Sequence, residues 1–213
     1  RKHAGYKCVA GVIFPGGADR YYVQELEAKG GNQNISNYVR VDGGCYVGFC
    51  AGAYYGCQRV MFDLDGPLEV NEPRSLAFYQ GNGVGPVYQG FEYDNENGSR
   101  AATVVRTDTK ATVVVYYNGG CTFEREEKEQ EEEKEENPNV TITSYYQTDT
   151  KIKKTASIEI KCGQGIAILC GFHPEFQPHQ MIKSENNIVQ ELSKNENQRV
   201  EFMKYLLKPL FEN

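Results

Sequence analysis

Residues 43–56, GGCYVGFCAGAYYG, constrain the fold more strongly than any other stretch of the chain. The run 45–49 is apolar on both faces and has the length of a strand buried in a parallel sheet. Gly48 and Gly52 flank Cys50, and glycine at both positions lets the backbone turn sharply from a strand into a helix. The sequence therefore predicts a strand–turn–helix unit with the Cys50 side chain at the end of the strand.

Cys50 in this setting is a candidate nucleophile. Free N–H groups at a helix N-terminus favour the thiolate, which is the nucleophilic form of cysteine. The pattern is that of a nucleophile elbow with Cys in place of Ser. The alternative is a buried structural cysteine that acts as a small hydrophobe. A chance Gly-x-Cys-x-Gly is not rare in a chain with seven cysteines and 22 glycines.

The order of the predicted elements indicates the fold class. The N-terminal elements are a strand, two helices and a second strand, at 8–14, 19–29, 34–41 and 45–49. Asp19 is the expected cap of the first helix. Such alternation is typical of an α/β domain that binds its ligand at the carboxyl ends of the strands. We predict a flavodoxin-like three-layer sandwich with a mostly parallel central sheet, plus a β-rich section at about 66–117.

The rest of the chain is predicted to complete a single domain over residues 1–213. Strands are expected at 101–106, 111–117, 140–146, 152–160 and 166–171, and a helix at 197–211. The segment 124–137 is a low-complexity Glu/Lys run without an apolar face, so we expect a disordered or solvated insertion. An acidic docking segment is the alternative.

The charge of the chain argues against two classes of partner. Residues 124–136 carry a net charge of −6, which is the net charge of the whole chain, so the remaining acids and bases balance. Without a basic excess, nucleic acid is not an expected partner. No apolar run approaches the length of a membrane span, so no membrane partner is expected either.

The cysteines bear on metal binding and on location. None of the seven lies in a Cys-x-x-Cys pair, so a zinc ribbon is not indicated, and we predict neither a metal nor another cofactor. A chain of this size does not need a disulfide scaffold, and a reducing, cytoplasmic location is the simpler interpretation. Because the first residue is Arg1, a removed leader segment is left open.

A second reactive group is predicted after the strand 166–171. His173 and Glu175 are two residues apart, so in extended chain they point to the same side. A carboxylate there could hold the imidazole in one tautomer and stabilise its cation. Together with Cys50, these residues predict a Cys–His–Glu triad at the ends of neighbouring strands. The alternative for His-Pro-Glu is an ordinary surface loop.

Several blocks of sequence carry a family resemblance. They are FPGGAD (14–19), GFCAGAYYG (48–56), PLEV (67–70), GPVYQGFEY (85–93), YYNGG (116–120) and GFHPEF (171–176). The elbow and the His-Pro-Glu segment resemble class I glutamine amidotransferase domains. The full set, in this order, resembles the amidotransferase-like N-terminal region of eukaryotic biotin–protein ligases, over most of the chain except the acidic insert.

The resemblance implies a mechanism. Cys50 would attack an amide or acyl carbonyl and form a thioester, with His173 as base and then acid, oriented by Glu175. The oxyanion would be held by the backbone N–H groups of Ala51 and of the Gly16-Gly17 loop.

The resemblance also implies a pocket, formed by Tyr54, Asn118 and Gly119, and here the sequence departs from the family pattern. Amidotransferases usually carry Gln where this chain has Tyr54, which puts glutamine in doubt as the substrate. They also usually have a further strand and helix before the counterpart of residue 8. The Gly-x-Gly-x-x-Gly signature of biotin ligases is absent, so we expect no biotin ligase activity from this chain alone.

Three functions follow from these observations. The first is a Cys-dependent hydrolase or amidotransferase-like enzyme for a small amide or acyl substrate, which could work with a ligase or synthetase partner. The second is a catalytically silent binding or regulatory module on the same scaffold, suggested by Tyr54. The third is a redox-sensing or chaperone-like protein.

Overall fold

A computed structural model describes residues 9–27, 29–125, 137–180 and 186–212 of the chain. Within these ranges, eleven strands form two sheets. They are β1 (Val12–Phe14), β2 (Cys45–Phe49), β3 (Cys57–Phe62), β4 (Val70–Pro73), β5 (Tyr79–Gly85), β6 (Arg100–Arg106), β7 (Thr112–Tyr117), β8 (Thr122–Glu124), β9 (Val140–Tyr146), β10 (Lys154–Cys162) and β11 (Gly165–Cys170).

The helices are mostly short. They are α1 (Arg20–Tyr22), α2 (Gly31–Arg40), α3 (Ala51–Gly56), α4 (Asn186–Lys194), α5 (Glu196–Leu207) and α6 (Pro209–Glu212). A π-helical turn, Val23–Glu27, follows α1, and a 3₁₀ turn, Pro178–Gln180, precedes α4. Among the described helices, none is long and apolar enough to cross a lipid bilayer.

The central sheet has seven strands in the order β1-β2-β11-β10-β9-β6-β7. Its core is parallel, with β2 between β1 and β11, and these three strands carry the candidate site. The other four pairings are antiparallel. The short turn between β10 and β11, Gly163-Gln164, can join only antiparallel neighbours. The predicted α/β class is confirmed, and the predicted parallel arrangement is found in the three strands β1, β2 and β11.

Both faces of the central sheet are covered. Val47 and Phe49 of β2 pack in one core with Phe202 and Leu206 of α5. The intervening Tyr46 belongs to the core on the opposite face, which includes residues of α2 and α3. All five residues of β2 are buried, as its apolar sequence predicts. The result is the expected three-layer arrangement.

The additional β-rich section is a second sheet with the order β4-β3-β5-β8. The predicted boundaries, 66–117, were wrong at both ends. The second sheet begins with β3 at Cys57, and β6 and β7 belong to the central sheet. Strand β6 pairs with β9 in that sheet, and this long-range contact cannot be read from local composition.

Several local predictions need correction. The expected helix 197–211 is interrupted: α5 ends at Leu207 and α6 begins at Pro209, whose ring nitrogen carries no N–H for a continuing helix. Helix α4 was not predicted, although Ile188 and Leu192 have helical spacing and are both buried. Most of the acidic insert, residues 126–136, lies outside the described residues.

Candidate active site

The turn between β2 and α3 has the geometry of a nucleophile elbow. Cys50 has φ 47° and ψ −104°, an unfavourable region for a residue with a Cβ that costs about 1–3 kcal/mol. The backbone comes very close on both sides of it. A Cβ at Gly48 would collide with the carbonyl of Gly52, and one at Gly52 would collide with the carbonyl of Phe14. The two flanking glycines are therefore needed for this turn.

Backbone hydrogen bonds fix the elbow to its neighbours. The Cys50 N–H donates to the Cys170 carbonyl at the end of β11 (2.8 Å), and the Gly52 N–H donates to the Pro15 carbonyl after β1 (3.2 Å). Within the elbow, the Tyr54 N–H donates to the Cys50 carbonyl (3.0 Å). These bonds join the ends of three parallel strands around Cys50.

His173 lies three residues beyond the end of β11, next to Cys50. Its N–H donates to the Tyr116 carbonyl of β7 (2.8 Å) in an isolated antiparallel bridge, so the sheet curls and brings its far strand to the site. The Nδ1 atom of the ring lies 2.8 Å from Glu175 Oε1. The Cys50 sulfur is close enough to raise the pKa of the ring, and its thiol donates to the Asn118 carbonyl (3.5 Å). With Nδ1 engaged by Glu175, Nε2 is the ring nitrogen that remains for proton transfer with the sulfur.

The surroundings of His173 favour its charged form. Burial lowers the pKa of the imidazole, but the Cys50 sulfur and the Glu175 carboxylate outweigh this effect and raise the pKa to about 10. The side chain is nearly closed to solvent, with 7% of its area exposed. An imidazolium beside a cysteine sulfur stabilises the thiolate, which is the reactive form.

Arg199 of α5 supports the His-Pro-Glu segment, a role that was not predicted from the sequence. The guanidinium is buried, and its Nη1 donates to the Pro174 carbonyl (2.5 Å). Two nearby buried atoms, Arg199 Nε and Glu175 Oε2, have no hydrogen-bond partner in the described part of the chain. Arg199 lies three residues before Phe202, on the buried face of α5, and this helical spacing was the sequence signal for its burial.

The expected oxyanion donors surround Cys50. Ala51 and Gly17 line the same cavity as Cys50. Their backbone N–H groups make no hydrogen bond to any described residue. Gly16 packs against the ring of His173, where a Cβ would collide with Cε1. Their proposed role in holding an oxyanion stays a prediction.

A cavity of about 30 Å³ lies above Cys50. Its polar side includes Tyr54, Asn118 and Gly119, all three predicted as pocket residues. Tyr54 forms part of the wall, with its hydroxyl donating to the Gly119 carbonyl (3.1 Å). Asn118 carries a buried Oδ1 atom without a partner among the described residues. The volume corresponds to one or two water molecules, so only a small group fits as the cavity stands.

A second cavity, of about 280 Å³, lies next to the first. Phe62, Phe91 and Tyr93 line both cavities, and we call these three residues the aromatic partition. Their rings pack edge to face or tilted, with Phe91 centred 5.4 Å from Phe62 and 5.1 Å from Tyr93. Phe91 also lies over Gly119, at which a Cβ would collide with its ring.

Asp19 lines the Cys50 cavity, and the predicted capping role of its side chain is wrong. It makes no capping hydrogen bond to α1. Instead, its Oδ2 accepts a hydrogen bond from Arg74 Nε (2.8 Å), and Arg74 Nη1 also contacts Glu72 Oε2 (3.1 Å). Arg74 is buried and comes directly after β4 of the second sheet, so this long-range contact was not visible in the sequence.

The α/β fold of the chain is similar to that of a glutamine amidotransferase. A solved structure described as a glutamine amidotransferase superposes with a TM-score of 0.53 and 15% sequence identity, covering 95% of this chain and 79% of that one. At this level of identity the comparison shows the fold alone.

The chain belongs to the family described as "Biotin-protein ligase, N terminal", whose model matches residues 5–211. It is 33% identical over 203 residues to a biotin–protein ligase of Schizosaccharomyces pombe, covering 93% of this chain and 30% of that protein. It is 34% identical over 207 residues to an uncharacterized protein of Chlamydia muridarum, covering 95% of this chain and 75% of that protein. The resemblance inferred from the sequence motifs is confirmed.

Proposed function

We propose that this domain is a cysteine-dependent amidohydrolase or acyltransferase that acts on a small amide or acyl compound through a thioester. The observation that carries the proposal is the position of Cys50, on a strained turn within reach of a His173 ring whose Nδ1 is held by Glu175. Nucleophile, base and orienting carboxylate in contact are the elements of a triad.

Each step of the reaction has a group in place. The Cys50 sulfur attacks the carbonyl carbon, and the oxygen takes up the displaced electron pair. The N–H groups of Ala51 and Gly17 stabilise this oxyanion, each by about 3 kcal/mol. The His173 imidazolium gives its proton to the leaving amine as the C–N bond breaks, which leaves a thioester.

The second half of the reaction regenerates the enzyme. Neutral His173 takes a proton from water, and the resulting hydroxide attacks the thioester carbonyl. The C–S bond breaks, the acid leaves, and the sulfur departs as the thiolate beside the imidazolium. Glu175 stabilises the cationic ring in both half-reactions.

The cavity limits the substrate. Tyr54 stands where glutamine amidotransferases usually carry Gln, and the cavity of about 30 Å³ is small. We therefore assign a small amide or acyl group, and not glutamine, as the substrate. A ligase or synthetase partner that uses the product is part of the proposal, since the family is named for the N-terminal part of biotin–protein ligases.

The cytoplasmic location belongs to the proposal too. All six cysteines in the described part of the chain are free thiols, and a thiol nucleophile must stay reduced to work. A reducing compartment meets this requirement.

Selective alkylation tests the proposal. Iodoacetamide should modify Cys50 far faster than the other described cysteines, each of which has an exposed fraction of 2% or less. Replacing His173 with Gln should slow Cys50 labelling by about 10²-fold or more, the range typical of a lost acid–base group. Mass spectrometry of the Cys50 peptide gives the rate. Equal labelling of all cysteines, or no effect of H173Q, would contradict the triad.

A silent binding module is the second candidate, favoured by the small cavity and the buried Tyr54 beside Cys50. Hydrolysis of a panel of small amides, with Cys50→Ser as the control, separates the two functions. An amide that raises the unfolding temperature but is not hydrolysed would support the binding module. Turnover that disappears in C50S would support the enzyme.

A further inference from the structure

We propose that the Cys50 cavity selects compounds carrying an ammonium group, and that Asp19 is the residue that recognises it. The inference rests on the proposed function in one respect: Cys50 is taken as the reacting group. Beyond the proposed function, it specifies the charge of the substrate and the residue that binds the charged group.

Asp19 is held in place with part of its carboxylate free. Its side chain is 13% exposed, and it lines the cavity together with Cys50. Oδ2 accepts the hydrogen bond from Arg74 Nε, whereas Oδ1 has no partner among the described residues. A fixed carboxylate that lines a cavity and has one unused oxygen can accept a hydrogen bond from a bound ammonium.

The charges around Asp19 leave a negative balance. Arg74 is the cation that contacts it, and this buried guanidinium also contacts Glu72. One positive charge is thus shared by two carboxylates. Arg20 lies near Tyr93, 5.3 Å from the ring centroid, but it is exposed and does not line the cavity. A cationic ligand would neutralise the remaining charge in a partly closed site, where charge interactions are stronger than in water.

The rest of the cavity also suits a cation. The aromatic partition lines it, and the faces of aromatic rings attract ammonium groups. A carboxylate together with several aromatic rings is a chemical environment that favours ammonium over a neutral or anionic group. The substrate class is therefore an amide or acyl compound smaller than glutamine that also carries a protonated amine.

Three methanethiosulfonate reagents test this directly, because they share one reactive group and differ in charge. They are the aminoethyl reagent (cationic), the methyl reagent (neutral) and the sulfonatoethyl reagent (anionic). Their rates at Cys50 are measured by peptide mass spectrometry and divided by their rates with 2-mercaptoethanol. We expect the cation to react at least about tenfold faster than the neutral reagent, and the anion to be the slowest.

Asp19→Asn is the informative variant. The amide keeps an oxygen that can accept from Arg74 but has no charge, so the preference for the cation should fall to near one. Glu72→Gln is the matched control. It removes the other carboxylate on Arg74, which is 64% exposed and does not line the cavity, so solvent screens its charge and the preference should fall far less than in D19N.

Two results would overturn the inference: a wild-type protein without a preference for the cation, or a D19N variant that keeps it. If D19N does not fold, the salt dependence of the wild-type rates provides the test. A preference caused by the charge of Asp19 must decrease as the salt concentration rises, and a preference that does not change with salt would contradict a role for Asp19.

The design separates this inference from the proposed function. The charge preference is a ratio of rates at one sulfur, so it does not depend on how reactive Cys50 is. The rate with the neutral reagent, compared between the wild type and H173Q, reports on the triad alone. Either result can therefore fail while the other stands.

Discussion

The backbone of Gly16 lies directly against the imidazole of His173, where a Cβ at position 16 would collide with ring atom Cε1. The loop after β1 therefore sets the position of the ring that follows β11. Glycine at this position lets the imidazole stay between Glu175 and Cys50.

Replacing Gly16 with Ala should push the His173 ring away from Cys50. The added methyl group meets the ring in a closely packed site, and such overpacking costs about 1–3 kcal/mol. We expect Cys50 alkylation to slow by about tenfold or more, equivalent to ~1.4 kcal/mol of activation free energy. Iodoacetamide kinetics measures this change.

Gly17→Ala is the comparison for that variant. A Cβ at Gly17 meets nothing within 4 Å, although its φ of 131° makes the backbone conformation unfavourable for alanine. G17A should therefore lose stability while His173 keeps its position. An equal loss of Cys50 reactivity in both variants would show that the loop, and not contact with the ring, is responsible.

The charge of His173 predicts a dependence of stability on pH. Its pKa is raised to about 10, so the folded state binds the proton more tightly than the unfolded chain, in which histidine titrates near 6.5. The stability from this group is complete below about pH 6.5 and is lost as the pH rises through about 10. The difference in unfolding free energy between the wild type and His173→Gln should shrink over that interval.

NMR titration of the His173 ring provides an independent measurement. The ring should still be protonated at pH 8 in the wild type. In Cys50→Ala the pKa of His173 should fall, because the sulfur is the largest of the influences that raise it. A ring that titrates near 6.5 in the wild type would contradict an ion pair at the site.

Arg199 is expected to position the His-Pro-Glu segment. Replacing it with Met leaves the Pro174 carbonyl without its donor and removes a positive charge near Glu175. An unsatisfied buried polar group costs about 1–3 kcal/mol, so denaturant unfolding should show a loss in this range. The NMR-measured pKa of His173 should also change, which a purely structural defect elsewhere would not cause.

Glu196→Gln is the control for Arg199. It removes an exposed carboxylate that lies 3.6 Å from the same guanidinium but does not touch the segment. Surface ion pairs contribute at most about 1 kcal/mol, so stability and the pKa of His173 should barely change. A large effect of E196Q on stability or on the pKa of His173 would show that the contact between Arg199 and Pro174 is not the cause.

Phe91→Ala should join the two cavities. Phe91 lines both and covers Gly119, so its removal opens a path from the larger cavity to Cys50. A bulky reagent such as N-(1-pyrenyl)maleimide should then react with Cys50 about tenfold faster. N-ethylmaleimide, which is small, should change much less. An equal gain for both would indicate general loosening.

The parts of the fold that depend on local pattern could be predicted. The strand Cys45–Phe49 and the strand Val140–Tyr146 have the bounds expected from apolar runs and alternation. The curl of the sheet could not be predicted, since it depends on a contact between Tyr116 and His173, which are far apart in sequence. The interruption at Pro209 was visible in the sequence and was overlooked.

The site shows the same division. Cys50, His173 and Glu175 could be predicted to lie together because Cys50 follows one buried strand and the His-Pro-Glu segment comes soon after another. Asp19 was predicted only as the cap of the first helix, because its side-chain partner, Arg74, lies 55 residues away. Arg199 was missed because a charged residue on an amphipathic helix is usually exposed, and here it is buried beneath the His-Pro-Glu segment.

The two sheets contribute different parts of the site. The groups proposed to react follow β2 and β11 in the central sheet, whereas Val60 and Phe62 of β3 and Val70 of β4 line the cavity from the second sheet. Substitutions in the second sheet can therefore reshape the ligand's compartment without altering the thiol or its base. A lineage could change what it recognises while conserving how it reacts.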